Sequence, residues 1–217
     1  MENMSDKKKL DKRELRRALT MSVVVPCAGS HVAHLAGLVA SLRSQTRAPE
    51  QIVVAVSGCE TSELPVLDAL VLHRPERQTA GANRNHGSAA ATGDVLIYQD
   101  ADDIPHPQRV EIIAGLFEKY KIEHLMHLFY YYVARDQSFS VREAAKRSRY
   151  RTTPIAEGIT NGNPAVARSV WQAIHWPEYP QIGEDVDFNA RVYKHTERTV
   201  ITELPLMTYR QQFSSFK

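Results

Sequence analysis

Val95-Leu96-Ile97-Tyr98-Gln99-Asp100-Ala101-Asp102-Asp103 sets a four-residue apolar run against three carboxylates. Successive side chains of a strand point to opposite faces, so a strand ending here delivers acidic groups to its carboxyl edge. Clustered carboxylates form a hard oxygen-ligand site, of the kind a divalent cation bridging a diphosphate requires. The stretch points to a nucleotide-dependent enzyme.

Working outward, the chain before it alternates strand and helix. Ser22-Val23-Val24-Val25-Pro26 reads as a buried strand, and Ser30 is placed to cap a helix carrying Val32, Leu35, Val39 and Leu42 on one face. Ile52-Val53-Val54-Ala55-Val56 is a second continuous apolar strand, and a weaker one follows at Ala69-Leu70-Val71-Leu72. A helix is expected from Ala82 to Ala91, directly before the acidic strand. Strands apolar on both faces, alternating with helices, imply a mainly parallel sheet covered on two sides. Ligands of such sheets bind beyond the carboxyl ends of the strands, where Asp100, Asp102 and Asp103 fall.

The second half is less regular. Pro107 suits the first turn of a helix with Val110, Ile113, Phe117 and Tyr120 on one side, and Leu125 to Val133 reads as a strand. A basic segment with Arg142, Lys146, Arg147, Arg149 and Arg151 reads as a solvated helix face or loop and is assigned no site. In Gly183-Glu184-Asp185-Val186-Asp187-Phe188, the spacing of Val186, Ala190 and Tyr193 predicts a helix with Glu184 and Asp185 in its first turn. The helix dipole alone favours acids there. Combined with the first acidic cluster they gain a second meaning: a cation that holds a diphosphate and a separate carboxylate able to accept a proton are the minimum equipment for sugar transfer. Trp171 is read as core, whereas Trp176, just ahead of this acidic turn, is either core or a stacking platform for a sugar.

Composition bounds the rest. With 217 residues, 43% apolar and 24% charged, the chain is long enough for one sizeable core, and a formal charge of +2 gives no reason to expect nucleic acid as a partner. Cys27 and Cys59 lack metal-type spacing and are too few to staple a secreted fold, which favours a reducing compartment. No run approaches the roughly 20 apolar residues of a membrane span. A soluble, cytoplasmic protein is expected. Residues 1–20 form a basic leader, either a solvated tail or a short helix that makes peripheral membrane contact or docks on a partner.

The motifs together resemble family 2 glycosyltransferases of the GT-A fold, from about Ser22 to Ser215. The resemblance rests on Ser22-Val23-Val24-Val25-Pro26 with Ser41-Leu42-Arg43-Ser44-Gln45-Thr46, on Gly81-Ala82-Asn83-Arg84-Asn85-His86-Gly87 and on Ala91-Thr92-Gly93-Asp94. It continues through Asp100-Ala101-Asp102-Asp103, Gly183-Glu184-Asp185-Val186-Asp187-Phe188 and Pro205-Leu206-Met207-Thr208-Tyr209-Arg210, in the family's order. It implies one Rossmann-like α/β domain over residues 21–217, with a central mainly parallel mixed sheet flanked by helices. The nucleotide-binding half would be about 21–104 and the acceptor-binding half about 105–217.

The resemblance also implies an inverting transfer from a nucleoside-diphosphate sugar, UDP-linked by default, to a hydroxyl of a glycan or other acceptor, with Mn2+ or Mg2+. Asp102 would hold the cation, with Asp103 either an additional ligand or a supporting partner, while Asp100 would face the ribose and diphosphate. Asp185 would be the general base and Glu184 the fallback. Pro26, Ser57 and Arg210, the last on a closing C-terminal loop, would lie along the donor. Arg84 would orient the nucleotide or the acidic cluster, or pair with Asp94 or Asp100. Asn161-Gly162-Asn163 corresponds to the region that approaches the donor sugar, or is only a turn.

Some positions depart from the family pattern. Cys27-Ala28-Gly29 stands where an aromatic residue often covers the base, Val56-Ser57-Gly58 where an acidic pair often reads uracil, and Gln211-Gln212 where a histidine often adds a metal or phosphate contact. Rival chemistries fare worse. A calcium loop starting at Asp100 would need an oxygen ligand and a glycine where Ile104 and Pro105 stand. An aspartyl phosphatase would carry its acids after the first strand, and a nucleotidyltransferase would open with a Gly-rich basic turn. A catalytically silent sugar-nucleotide or glycan-binding module would have no need of Asp185.

Overall fold

The structure, a computed structural model, describes residues 17–133, 138–140, 162–179 and 183–210. The leader up to residue 16, the basic segment from Arg142 to Arg151, Asn161, and Gln211-Gln212 lie outside the described residues.

Four strands, β1 (Met21–Ala28), β2 (Gln51–Ser57), β3 (Leu70–Arg74) and β4 (Val95–Tyr98), run parallel in the order β3-β2-β1-β4. The sheet continues as a mixed one through β8 (Ala165–Ala167), β6 (His124–Val133), β9 (Thr199–Arg210) and β5 (Ile104–Pro105), with β7 (Ser138–Ser140) on β6. This is the expected α/β architecture. The chain leaves β1 toward β2 on one side and returns to β4 on the other, so a crevice opens between the carboxyl ends of β1 and β4. Asp100, Asp102 and Asp103 follow β4 into that crevice.

Strand alternation explains why these runs are apolar throughout. Val23, Val25, Ile52, Val54, Val56, Val95 and Ile97 pack on one face with α1 (Leu35–Arg43) and α3 (Arg109–Tyr120) through Leu35, Val39, Leu42, Ile113 and Phe117. Val24, Val53, Leu96 and Tyr98 form the opposite core with Trp171, Trp176, Phe188 and Val192. These last four come from α4 (Arg168–Ala173), the loop after it, and α5 (Glu184–His195). The helix α2 (Ala80–Ala90) lies on this second face with small residues, and Gly87 is so close that a Cβ there would meet Val24 Cγ1 at 2.7 Å.

Several boundaries differ from expectation. Ser30 caps no helix: residues Gly29–His34 form a 3₁₀ turn, and α1 starts only at Leu35 without a side-chain cap bond. A cap contributes about 1 kcal/mol, less than the roughly 1.5–3 kcal/mol gained by burying each of Val32 and Leu35. The expected weak strand is shifted to Leu70–Arg74 by its pairing with Val53–Ser57. Tyr120, placed on the buried face of α3 by its spacing, is exposed at the helix end, where Lys119 lies over its ring. The stretch from Pro205 to Arg210 is strand, not a closing loop, because β9 pairs with both β6 and β5. Its Pro205, unable to donate to the ladder, faces Leu128 at a register shift.

Residues 17–20, counted with the leader, are tied to the domain. The carboxylate of Asp94 accepts the Thr20 amide at 2.9 Å and its hydroxyl at 2.8 Å, and Arg17 at 2.6 Å. Against the cost of its burial, these bonds hold Asp94 below the usual carboxylate range. Among the described residues no helix is long and apolar enough to cross a membrane, and Cys27 and Cys59 are free thiols.

The entry of α2 is as tightly packed as its middle. A Cβ on Gly81 would stand 1.8 Å from the Pro177 carbonyl oxygen, a backbone atom that can yield only if its loop moves. Gly81→Ala is therefore expected to cost about 1–3 kcal/mol, read as a lower midpoint in urea unfolding.

Candidate active site

The segment Gly81-Ala82-Asn83-Arg84-Asn85 acts as the hub of the site. Consecutive helical side chains diverge by about 100°, and three of them reach three different elements. Asn83 donates to Ser57 Oγ at 2.9 Å and to the Cys27 carbonyl at 3.2 Å, joining the ends of β1 and β2. Asn85 holds the loop after α4: its Nδ2 donates to the Trp176 carbonyl at 2.9 Å and to Glu178 at 2.8 Å, while its Oδ1 accepts the Trp176 amide at 2.9 Å.

Between them, Arg84 reaches the two acidic motifs. Its Nη2 donates to Asp100 Oδ1 at 2.7 Å and its Nη1 to Glu184 Oε1 at 3.1 Å. The guanidinium is buried, 4.4 Å above the ring of Trp176. Burial opposes its charge, but the two carboxylates prevail and raise its pKa. Of the partners the sequence offered for Arg84, Asp100 is realised and Asp94 is not. Gly162 is required for this contact, since a Cβ there would fall 2.1 Å from Arg84 Nη2 and 2.9 Å from Asp100 Oδ2.

The three carboxylates after β4 have different surroundings. Asp103 is buried with both oxygens engaged: Oδ1 accepts the Arg210 amide at 3.1 Å and Oδ2 the Asn163 amide group at 3.3 Å. Of its two expected roles, additional ligand or supporting partner, this geometry favours the second. Asp100 receives Arg84 and, at 3.2 Å, Asn163 Nδ2. Asp102 is 8% exposed, and among the described residues no other side chain donates a hydrogen bond to it. Burial first and Asp100 second push Asp102 up to about 6, partly offset by His31 and Arg210. Asp103 is likewise held well above the usual carboxylate range, by burial first and then by Asp100 and Asp102.

On the facing side, Gly183 at φ 107° turns the chain into α5, with Glu184 and Asp185 in the first turn as expected. Asp185 Oδ1 accepts the Val186 amide at 2.8 Å. Burial and then Glu184 nonetheless bring its pKa up to about 6, against a lowering pull from Arg84. Glu184, the fallback base, is committed to Arg84.

Ser57, Pro26 and Arg210, expected along the donor, are each engaged within the protein. Ser57 is buried, and its hydroxyl accepts from Asn83 and from the Gln78 amide at 3.1 Å, so it joins strand to helix. Pro26 is buried within β1 opposite Ala55. Arg210 ends β9 beside the cluster, its amide on Asp103. Trp176 cannot serve as a sugar platform: one face stacks on Phe188 at 3.8 Å and Arg84 covers the ring, with Tyr98 edge-on at 4.8 Å. Trp171 is core, as expected. Arg109 is not among the expected site residues, although it stands four and eight positions before Ile113 and Phe117 and so shares the buried face of α3.

The donor set suits a hard cation. Among the described residues no three His, Cys, Asp or Glu side chains converge as a complete metal cage. One available carboxylate, Asp102, flanked by acids already braced, matches the way Mg2+ is bound through one or two carboxylates plus phosphate oxygens.

The mixed sheet, parallel through its first four strands and with acids at its switch point, is of the GT-A type. Residues 22–169, more than half of the chain, match the model of glycosyl transferase family 2, and the chain belongs to that family. It is similar to an uncharacterized glycosyltransferase, alr2836, from Nostoc sp., at 27% identity over 106 residues, 45% of this chain and 33% of that protein. Among solved structures it is similar to S. aureus TarS 1-349 in complex with UDP, with TM-score 0.69 and 17% identity over 88% of this chain and 60% of that one. A second is glucosyl-3-phosphoglycerate synthase from Mycobacterium tuberculosis in complex with Mn2+, UDP and phosphoglyceric acid, with TM-score 0.67 and 19% identity over 91% of this chain and 73% of that one. The chain thus spans about a third of the curated relative it matches and about three-fifths of the TarS fragment.

Because Arg84 is the buried counter-charge of two carboxylates, Arg84→Met is expected to cost about 3–5 kcal/mol in urea unfolding at neutral pH. Arg84→Lys should recover only part of this, since a single ammonium cannot span both acids.

Proposed function

We propose that this chain moves a sugar from a nucleoside diphosphate, most simply UDP, to a hydroxyl of a glycan or similar acceptor, with inversion at the anomeric carbon. The observation that carries this reading is the Arg84 fork, which joins Asp100, beside the candidate cation ligand, to Glu184, beside the candidate base. Two acidic motifs far apart in the chain thereby border one crevice at the switch point. The UDP bound by TarS and the Mn2+ and UDP bound by the synthase support the choice of donor and cation.

Asp102 would hold the cation, with Asp100 and Asp103 kept in place around it. When bound, the cation supplies positive charge against the diphosphate as it departs. Asp185 takes the proton of the acceptor hydroxyl while that oxygen forms its bond to the anomeric carbon. The bond from that carbon to the diphosphate oxygen breaks on the opposite face, and the nucleoside diphosphate leaves with the electron pair. An Asp raised to about 6 is ionised at neutral pH yet basic enough to accept a proton from a hydroxyl as it attacks. Arg84 keeps Asp100 and Glu184 from drifting, and Arg210 borders the cluster from β9.

The test is release of nucleoside diphosphate from a panel of UDP-, GDP- and dTDP-sugars with Mn2+, with and without acceptors. Turnover with at least one donor is expected, and Asp102→Asn and Asp185→Asn should each lose about 100-fold or more in kcat. If no donor binds or turns over, or both variants match the wild type, the reading is wrong. Since the base must be ionised, kcat/KM measured at saturating Mn2+, which keeps Asp102 ionised, should climb about ten-fold per pH unit below 6 and level off above it, read from about pH 4.5 to about pH 8. A flat acid limb would remove Asp185 from the role.

A further inference from the structure

Arg109 is the most deeply buried cation beside the acidic cluster. It opens α3 at 0% exposure, and among the described residues no carboxylate pairs with it. Its guanidinium is spent on neutral acceptors instead: Nη1 donates to Gln99 Oε1 at 3.0 Å, and Nη2 to the Tyr98 carbonyl at 2.9 Å and the Asn163 carbonyl at 2.7 Å. His127 Nε2 lies 3.1 Å from the same Nη2. Burial lowers the Arg109 pKa to about 9, against an opposing pull from Asp103 and then Asp100. Sequestering a cation this way is expensive unless its bonds are needed.

The targets of those bonds show what they could serve. Regular pairing of β4 with β8 ends at Ile97 opposite Ala165, so the acidic stretch leaves the sheet just as its carboxylates must be oriented. Arg109 clips both sides of that exit, Tyr98-Gln99 on one and Asn163 on the other. The Asn163 side chain then carries the constraint onward. Its Oδ1 accepts the Asp100 amide at 2.6 Å, and its Nδ2 donates to Asp100 Oδ2 at 3.2 Å and Asp103 Oδ2 at 3.3 Å. Asp102, between them in sequence, receives no such brace from another side chain among the described residues.

We infer that Arg109 is a positioning residue for donor binding: acting through Asn163, it fixes Asp100 and Asp103 so that Asp102 is left to take a divalent cation together with a nucleoside diphosphate. This rests on the glycosyl-transfer reading. Asn163 is the intermediary and Gln99 the second anchor, and none of the three needs to touch the donor.

Titration calorimetry of the full chain with Mn2+ and UDP tests this, with urea unfolding run in parallel. Arg109→Lys keeps the charge but loses the fork, and it should weaken Mn2+-dependent UDP binding by about ten-fold or more, in the range seen when groups supporting a metal ligand are removed. Asn163→Ala leaves the carbonyl that Arg109 binds and removes the onward link to Asp100 and Asp103, and it should lose a similar factor. Gln99→Met, which leaves Asn163 and its bonds to the carboxylates in place, should lose less. Variants that fold with a lower urea midpoint yet bind Mn2+ and UDP as the wild type does would make Arg109 merely structural and overturn the inference. If Arg109→Lys does not fold, Asn163→Ala decides alone, and wild-type affinity there overturns it. A wild type that binds no nucleoside diphosphate with Mn2+ would instead overturn the glycosyl-transfer reading, and this inference with it.

Discussion

The site depends on one buried guanidinium serving two carboxylates. Arg84 leaves α2 between the sheet and the loop after α4, and reaches Asp100 on one side and Glu184 on the other. A solvent-exposed pair of this kind would contribute little. Here the charge is nearly out of water, its underside lies on the Trp176 ring, and neither acid can leave without stranding it. The requirement passes outward to small residues. Gly162 admits the guanidinium to Asp100, Gly81 admits the Pro177 carbonyl, and Gly87 lets α2 settle on Val24. The compact form of Gly81-Ala82-Asn83-Arg84-Asn85-His86-Gly87 is thus a set of contact requirements, with each polar side chain from Asn83 to Asn85 reaching a separate partner.

Around this fork, negative charge outweighs positive. Arg84, Arg109 and Arg210 lie near Asp100, Asp102, Asp103, Glu184 and Asp185, and the balance is uneven. Asp102, Asp103 and Asp185 are all shifted toward the protonated form by burial and by their acidic neighbours. Like-charged carboxylates held together in a partly dry crevice store an unfavourable interaction that a divalent cation relieves. The same pressure gives Asp185 basicity that an exposed aspartate lacks. Hydrogen bonds decide which acids remain available. Asp103 and Glu184 are committed to protein partners, whereas Asp102 and Asp185 make fewer such commitments.

Much of the fold was legible because burial on both faces of a parallel strand leaves an unmistakable apolar run. Val23 to Val25, Ile52 to Val56 and Val95 to Tyr98 all lie in strands, and the acids after Tyr98 fall at the crevice. What failed were features without local periodicity. The strand β8 has three residues and owes its existence to pairing with β4 and β6. The 3₁₀ turn after β1 buries Val32 and leads into the buried Leu35, and no side-chain cap bond starts it or α1. Trp176 offered a real ambiguity, since an indole before an acidic turn suits a platform as well as a core, and only the stacking of Phe188 against it resolves the matter.

By itself, the sequence determined the apolar strands β1, β2 and β4, the family and the identity of the two acidic motifs, because these depend on residue type and near-neighbour spacing. The tertiary structure alone decided how the acids divide their work, because that depends on contacts across long separations. Arg84 meets Glu184 one hundred positions away, Asn163 meets Asp103 across sixty, and Arg109 reaches the Asn163 carbonyl across fifty-four. No spacing rule encodes which carboxylate a buried arginine will choose. That choice is settled by which backbone can approach, and so by glycines and carbonyls whose positions exist only once the sheet has formed.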